Sequence, residues 1–281
     1  MGQKHRISLT LDEELVKKID QSVDGFIIKN RSDAIEKIIA NYLEKQKVKQ
    51  AIILCGGKGI GNRPLTLDMP EAMLPIKEKP ILEHLITHLK NEGIEEIILA
   101  VGYKHEKIIS YFGNGLKFGI NIKYLIEKEP LGTAGAILQA KGMIDSTFLV
   151  LNGDVVGKIP VEDMLKTHRQ TKAKTTIALT TTDNPEEYGV VQLRGTTITG
   201  FVEKPDKEKA MTNLINAGVY LAEPNIFETI QKNSKKGKLM LEELFDILSK
   251  EELLSGYVYD GSWFDVSTKE KYERAKKSAH I

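Results

Sequence analysis

Gly56, Gly57 and Gly59 follow a short apolar run, Ala51-Ile52-Ile53-Leu54. A backbone without Cβ atoms can approach a bulky anion and aim successive N–H groups at phosphate oxygens. The spacing is neither that of the phosphate loop G-x-x-x-x-G-K-[ST] nor that of the dinucleotide fingerprint G-x-G-x-x-G, and both are rejected. His84 and His88 stand four apart on an expected helix, a separation that can hold zinc. No third ligand accompanies them in the sequence and core-type apolar residues flank them, so they read as packed histidines. The single cysteine, Cys55, excludes an internal disulfide and suits a reducing compartment.

The elements that must hold these residues change character near residue 50. Before it, Ile7, Leu9 and Leu11 alternate with Arg6, Ser8 and Thr10, which predicts a strand with one apolar face. Asp12-Glu13-Glu14 open a helix with Leu15, Ile19 and Val23 on one side, and Gly25 ends it. Ser32 is the expected N-cap of a second helix carrying Ala34, Ile35, Ile38, Ile39 and Tyr42. From Ala51 onward strands and helices alternate: strands over 51–54, 96–101 and 148–151, and a helix over 81–90. That alternation predicts an α/β fold with a Rossmann-like, mixed but mostly parallel sheet and ligand loops at the strand C-termini. The expected division is a module at 1–46, a linker at 47–50 and a larger domain at 51–281.

A chain of 281 residues suits one α/β domain plus something small. No apolar run reaches membrane-spanning length and Met1 to Arg6 lacks a signal-type apolar stretch, so a cytoplasmic protein without a membrane partner is expected. The net charge of +1 says nothing about nucleic acid. Residues 1–50 hold ten Lys/Arg against eight Asp/Glu, a slight basic excess.

A strand and two helices in fewer than fifty residues cannot bury enough surface alone, and a lone strand leaves unpaired edges. Two chains that pair their strands solve both problems. Through Arg6-Ile7-Ser8-Leu9-Thr10-Leu11, Leu15-Val16-Lys17-Lys18-Ile19 and Asn30-Arg31-Ser32-Asp33-Ala34-Ile35, segment 4–46 resembles the ribbon-helix-helix repressors. The resemblance implies at least a homodimer, a tetramer being equally open, and double-stranded DNA as partner. A two-stranded ribbon fits the major groove with its outward side chains on base edges. Alternation makes those Arg6, Ser8 and Thr10, with Lys4 close to a base or phosphate. Arg31 and the helix start at Ser32 would meet a phosphate. A dimerisation module that never touches DNA is the other reading.

Residues 51 to about 275 resemble the nucleotidyltransferases that make nucleotide sugars from a nucleoside triphosphate and a sugar 1-phosphate. The match is carried by Leu54-Cys55-Gly56-Gly57-Lys58-Gly59, Arg63-Pro64-Leu65-Thr66, Leu74-Pro75-Ile76 and Lys79-Pro80-Ile81-Leu82. It continues through Glu129-Pro130-Leu131-Gly132-Thr133-Ala134-Gly135-Ala136, Asn152-Gly153-Asp154, Tyr188-Gly189-Val190-Val191 and Glu203-Lys204-Pro205. Asn216-Ala217-Gly218-Val219-Tyr220 and Trp263-Phe264-Asp265 complete it. The resemblance implies a fold of the nucleotide-diphospho-sugar transferase type. It assigns nucleotide contact to Leu54, Gly56, Gly57, Gly59, Glu129, Leu131, Gly132, Thr133 and Asp154. Gly189, Glu203, Lys204 and Asn216 would hold the sugar, and Asp154 and Asp265 would bind Mg²⁺ through hard oxygen donors.

Four positions depart from the family's pattern, two of them where its catalytic cations stand. Where its loop carries an arginine that clamps the triphosphate, this chain has Gly61; where it carries a lysine for the sugar phosphate, this chain has Glu71. Ser267 and Lys269 replace its usual Gly and Pro. Phosphoryl transfer depends on positioning and charge stabilisation, and one lost donor costs on the order of a hundred- to a thousandfold in rate. Nearby Lys58, Arg63 or Lys77 could compensate and leave a slow enzyme. The expected function is a DNA-binding regulator that takes a nucleotide or nucleotide sugar as effector. The alternatives are an active transferase carrying a DNA-binding domain, and a DNA-binding protein whose large domain is only an inert body for oligomerisation.

Overall fold

The computed structural model describes residues 5–45 and 47–278, except for the side chains of 41–45. Its contacts divide the chain into two units, one ending at Lys47 and the other starting at Val48.

In the smaller unit, α1 (Glu13–Gln21) starts where Asp12 Oδ1 accepts the Leu15 N–H at 2.8 Å. It ends at Gln21, before Gly25, and Asp24 organises the turn by accepting the N–H groups of Phe26, Ile27 and Ile28. α2 (Arg31–Lys45) begins earlier than expected. Its cap is Asn30, whose Oδ1 accepts the Asp33 N–H at 3.0 Å, while Asp33 accepts the Lys29 N–H at 2.9 Å. Ser32 therefore sits inside the first turn. The strand expected over 6–11 is not formed: residues 5–12 belong to no strand in this single chain, and Ile7 and Leu9 are 67% and 53% exposed. The cause is physical, since a ribbon strand exists only through ladder bonds to a second one.

The larger unit begins with β1 (Gln50–Cys55), β2 (Pro75–Ile76), β3 (Lys79–Pro80), α3 (Ile81–Asn91), β4 (Glu96–Val101), α4 (His105–Phe112) and β5 (Asn121–Ile126). It continues with α5 (Thr133–Leu138), β6 (Phe148–Asn152), β7 (Val155–Gly157), α6 (Val161–Arg169), β8 (Thr175–Thr181), β9 (Gly189–Arg194) and β10 (Thr197–Glu203). β11 (Leu214–Ala222), α7 (Ile226–Asn233), α8 (Leu241–Lys250), β12 (Leu254–Val258), β13 (Trp263–Asp265) and α9 (Lys269–Ser278) follow.

Nine strands form one sheet in the order β5-β4-β1-β6-β11-β8-β12-β10-β9. The first four run parallel, but β11 is antiparallel to β6 and β8, and β10 to β12 and β9. The mostly parallel expectation thus holds for only one half of a mixed sheet. Both faces are covered, which is why its strands read as continuous apolar runs. Ala51, Ile53 and Cys55 enter one core with Leu82, Ile86, Ile97 and Leu99. Ile52 enters the other with Ile98, Phe148, Val150, Leu244 and Phe245. The expected linker over 47–50 is partly core, because Val48 is buried and Gln50 opens β1.

Phe245 is fully buried, with the rings of Tyr220 and Phe201 centred 5.1 and 5.4 Å away. Phe245→Ala should therefore destabilise the larger unit by about 3–5 kcal/mol, a deleted core aromatic leaving a cavity. Urea denaturation measures this, and a loss under about 1 kcal/mol would contradict the packing described.

Candidate functional site

β1 and β6 lie side by side and parallel, so their C-terminal loops leave the same edge of the sheet. The Gly153 N–H donates to the Leu54 carbonyl at 2.9 Å and joins those loops. A Cβ at Gly153 would stand 2.7 Å from that carbonyl oxygen and 2.8 Å from Cys55 Sγ, so glycine is what lets them meet. At Gly56 a Cβ would run into the Glu127 carboxylate. The resulting cleft, about 710 Å³, is lined by Leu54, Gly56, Gly57, Gly132, Thr133 and Asp154 among others.

The remaining expected nucleotide contacts do not line this cleft. Gly59 (φ +55°) turns the chain against Thr66 and Glu71, Glu129 is exposed, and the Leu131 carbonyl accepts the Leu239 N–H at 3.0 Å. That last bond is part of a clamp. Thr133 Oγ1 accepts the Leu241 N–H at 2.8 Å, and a Cβ at Gly132 would sit 2.5 Å from the Leu239 carbonyl oxygen. Sequence reasoning missed Glu127, Tyr103 and Lys128, which also line the cleft. Glu127 follows β5 directly, at the C-terminal end of a parallel strand, and identifying that strand would have found it.

Asp154 and Asp265 come together through β7 and β13. These strands pair antiparallel with Asp265 opposite Val155, and the Val266 N–H donates to the Asp154 carbonyl at 2.9 Å. Burial, then the charge of Asp265, push the Asp154 carboxyl up to about 6; its own backbone N–H, Lys271 and Lys204 oppose this. Glu71 joins them. Its Oε1 accepts from Asn62 Nδ2 at 2.5 Å, and burial, then Asp154, raise its carboxyl to about 7. Asn62 is wholly buried and also donates to the Val266 carbonyl at 2.6 Å.

The departures at 61 and 267 touch: a Cβ at Gly61 would strike the Ser267 carbonyl oxygen, so no larger residue fits without moving backbone. Of the compensating cations considered, Lys58 lines the cleft, while Arg63 and Lys77 are not in its lining. The carboxylate pair does not fit Mg²⁺ as folded. Asp265 Oδ1 accepts the Ser267 N–H at 2.7 Å and its Oδ2 holds Lys271 Nζ at 2.7 Å, whereas a hard divalent ion needs open carboxylate oxygens. Among the described residues no group of three or more His, Cys, Asp or Glu is arranged for a metal. His84 and His88 each bond a backbone carbonyl, of Ile76 and Ile159, as packed histidines do.

The four expected sugar residues gather around β9, β10 and β11. Gly189 pairs with Glu203, and a Cβ there would stand 2.8 Å from Glu203 Oε2. Lys204 follows with its N–H on the Tyr188 carbonyl at 2.9 Å. A bulge in β11 lets Asn216 donate to the Tyr220 hydroxyl at 3.0 Å and accept the Gly218 N–H at 2.9 Å. Burial, then Glu242, raise the Glu203 carboxyl. Glu242, which sequence reasoning missed, has a buried Oε2 without a hydrogen-bond partner among the described residues.

In the smaller unit Arg6, Ser8 and Thr10 are exposed, and Lys4 lies outside the described residues. Arg31 is engaged by Asp20 through two bonds of 2.7 Å, which holds the Asp20 carboxyl below the usual range.

Because the folded pKa of Glu71 lies above its unfolded value, its contribution is favourable below about 4.5, the ordinary glutamate value, and is lost as pH rises toward about 7. Glu71→Gln should be the more stable protein at pH 8, by about 2 kcal/mol, and indistinguishable from the parent near pH 4. Denaturation curves at the two pH values check this, and a destabilised variant at pH 8 contradicts it.

Comparison with known proteins places this geometry. Residues 50–280 match the nucleotidyl transferase family model, and residues 5–46 match that of the ribbon-helix-helix proteins of the copG family. The bifunctional protein GlmU of Methanococcus maripaludis is 38% identical over 219 residues, 77% of this chain and 51% of that protein, so this chain spans about half its length. The D-glycero-alpha-D-manno-heptose 1-phosphate guanylyltransferase of Aneurinibacillus thermoaerophilus is 37% identical over 232 residues, 81% of this chain and 97% of that one. The crystal structure of HddC from Yersinia pseudotuberculosis superposes with a TM-score of 0.68 at 27% identity, covering 82% of this chain and 99% of that one. No helix among the described residues is long and apolar enough to cross a membrane. The chain belongs to the nucleotidyl transferase family and carries a ribbon-helix-helix domain of the copG family ahead of it.

Proposed function

We propose that the chain is a DNA-binding regulator whose larger domain takes a nucleotide or nucleotide sugar as effector, with little or no turnover. The observation that carries this reading is Glu71, a carboxylate in the cleft lining beside Asp154, where the resembling enzymes place a lysine. An attacking sugar phosphate is anionic; Glu71 supplies no positive charge for it, and repels it in the fraction that is ionised around its raised pKa of about 7. Gly61 adds to the loss, because its contact with Ser267 leaves no space for an arginine side chain. The parts that bind are kept: the glycine loop, the clamp around Gly132 and Thr133, and the Gly189, Glu203, Lys204 and Asn216 group.

On the DNA side, Arg6, Ser8 and Thr10 would read base edges once two chains pair their strands, so the active species is at least a dimer. Arg31 would reach a phosphate only by sharing or leaving Asp20. A second reading, an active sugar-1-phosphate nucleotidyltransferase with a DNA-binding domain, is supported by Lys58 in the cleft and by the guanylyltransferase matched over 97% of its length.

Isothermal titration calorimetry against nucleoside triphosphates and nucleotide sugars, paired with a pyrophosphate assay on mixtures containing hexose 1-phosphates, separates the two. We expect saturable binding of at least one nucleotide with pyrophosphate release at least about a thousandfold below an ordinary enzymatic rate. Release at an ordinary rate overturns this reading and establishes the enzyme.

A further inference from the structure

Asp265 ends β13 with both carboxylate oxygens engaged. The Ser267 N–H donates to Oδ1, and Lys271 Nζ lies 2.7 Å from Oδ2. Lys271 comes from the first turn of α9. Its ammonium is also 2.9 Å from Glu187 Oε2 and 4.3 Å from the centre of the Tyr188 ring. The lysine side chain is 22% exposed and that of Asp265 is 9% exposed. An ammonium held by two carboxylates and an aromatic face is a fixed charge, with little of the rotamer freedom of a surface lysine. Lys204, by contrast, is 67% exposed and stands 4.0 Å from Glu203.

We propose that Lys271 is a tethered cation that takes the place of a divalent metal ion at Asp265, so that anionic ligands bind this cleft without added metal. A divalent ion at Asp265 would have to displace the ammonium or sit beside it, adding repulsion between cations. Lys271 offsets one of the negative charges of Asp154, Asp265 and Glu187, which lessens their repulsion of phosphates. The second half of the proposal rests on the reading that the cleft binds nucleotides; the first half does not.

Two measurements on the full chain test it. Mn²⁺ titration followed by electron paramagnetic resonance, without nucleotide, should show Lys271→Met binding the ion at least about tenfold more tightly than the parent, the scale of one charge-assisted contact. Lys271→Arg, which keeps the charge, should behave like the parent. Calorimetry with UDP-glucose and GDP-mannose should give parent affinities that agree within about twofold in EDTA and in Mg²⁺. Parent Mn²⁺ binding as tight as that of Lys271→Met, or a parent affinity at least about tenfold weaker in EDTA, overturns the proposal. If neither nucleotide sugar binds under any condition, the nucleotide reading and the claim of metal-free ligand binding fail together, and the Mn²⁺ titration still decides whether Lys271 excludes the ion. If Lys271→Met does not fold, Mn²⁺ binding by the parent, compared with Asp265→Asn, decides the same point: loss of tight binding in Asp265→Asn overturns the proposal.

Discussion

Asp154, Asp265 and Glu71 bring three carboxylates into a partly buried space at the C-terminal edge of β1 and β6, and the surrounding elements are arranged around that charge. Lys271 binds Asp265 from α9, Asn62 binds Glu71, and Lys204 acts on Asp154 from the end of β10. The carboxyls of Asp154 and Glu71 are nevertheless held well above their ordinary range. A site for phosphoryl transfer concentrates positive charge where negative charge develops. Here three carboxylates stand at that edge, in a cleft whose glycine-rich lining is otherwise open.

Much of this was legible in the sequence, for reasons that differ by element. β1, β4 and β6 are buried on both faces, so they read as uninterrupted apolar runs, and their ends fell within about a residue of expectation. The glycines at 56 and 132 were legible because each permits a close approach that any Cβ would block, whereas a Cβ at Gly57 would meet nothing. The antiparallel half of the sheet was not read: β11 meets β6 and β8 through contacts remote in sequence, while β9 and β10 form a local hairpin that the sequence analysis did not identify. Glu127 was missed because β5, whose end it follows, was not read as a strand, and Glu242 depends on the docking of α8, which no local pattern encodes. Lys271 lies six residues beyond Asp265, and only the turn into α9 folds it back.

The smaller unit shows the complementary limit. Asn30-Arg31-Ser32-Asp33 contains two good caps, and the choice of Asn30 follows from the reciprocal pairing of Asn30 and Asp33 with neighbouring N–H groups. The strand expected over 6–11 has the right alternation and no partner strand among the described residues of this single chain, and a ribbon strand needs a second one to form. For a nucleotide in the larger domain to matter at the DNA, it must prefer one arrangement of the two units. A ligand with equal affinity for both shifts nothing, however tightly it binds.

The most direct test of the account is a fluorescence-anisotropy titration of DNA selected by the protein from a random pool, with and without a nucleotide sugar that saturates the larger domain. The account predicts that the ligand changes DNA affinity by at least about threefold, close to 0.65 kcal/mol of coupling. Identical affinities with the cleft saturated would contradict it.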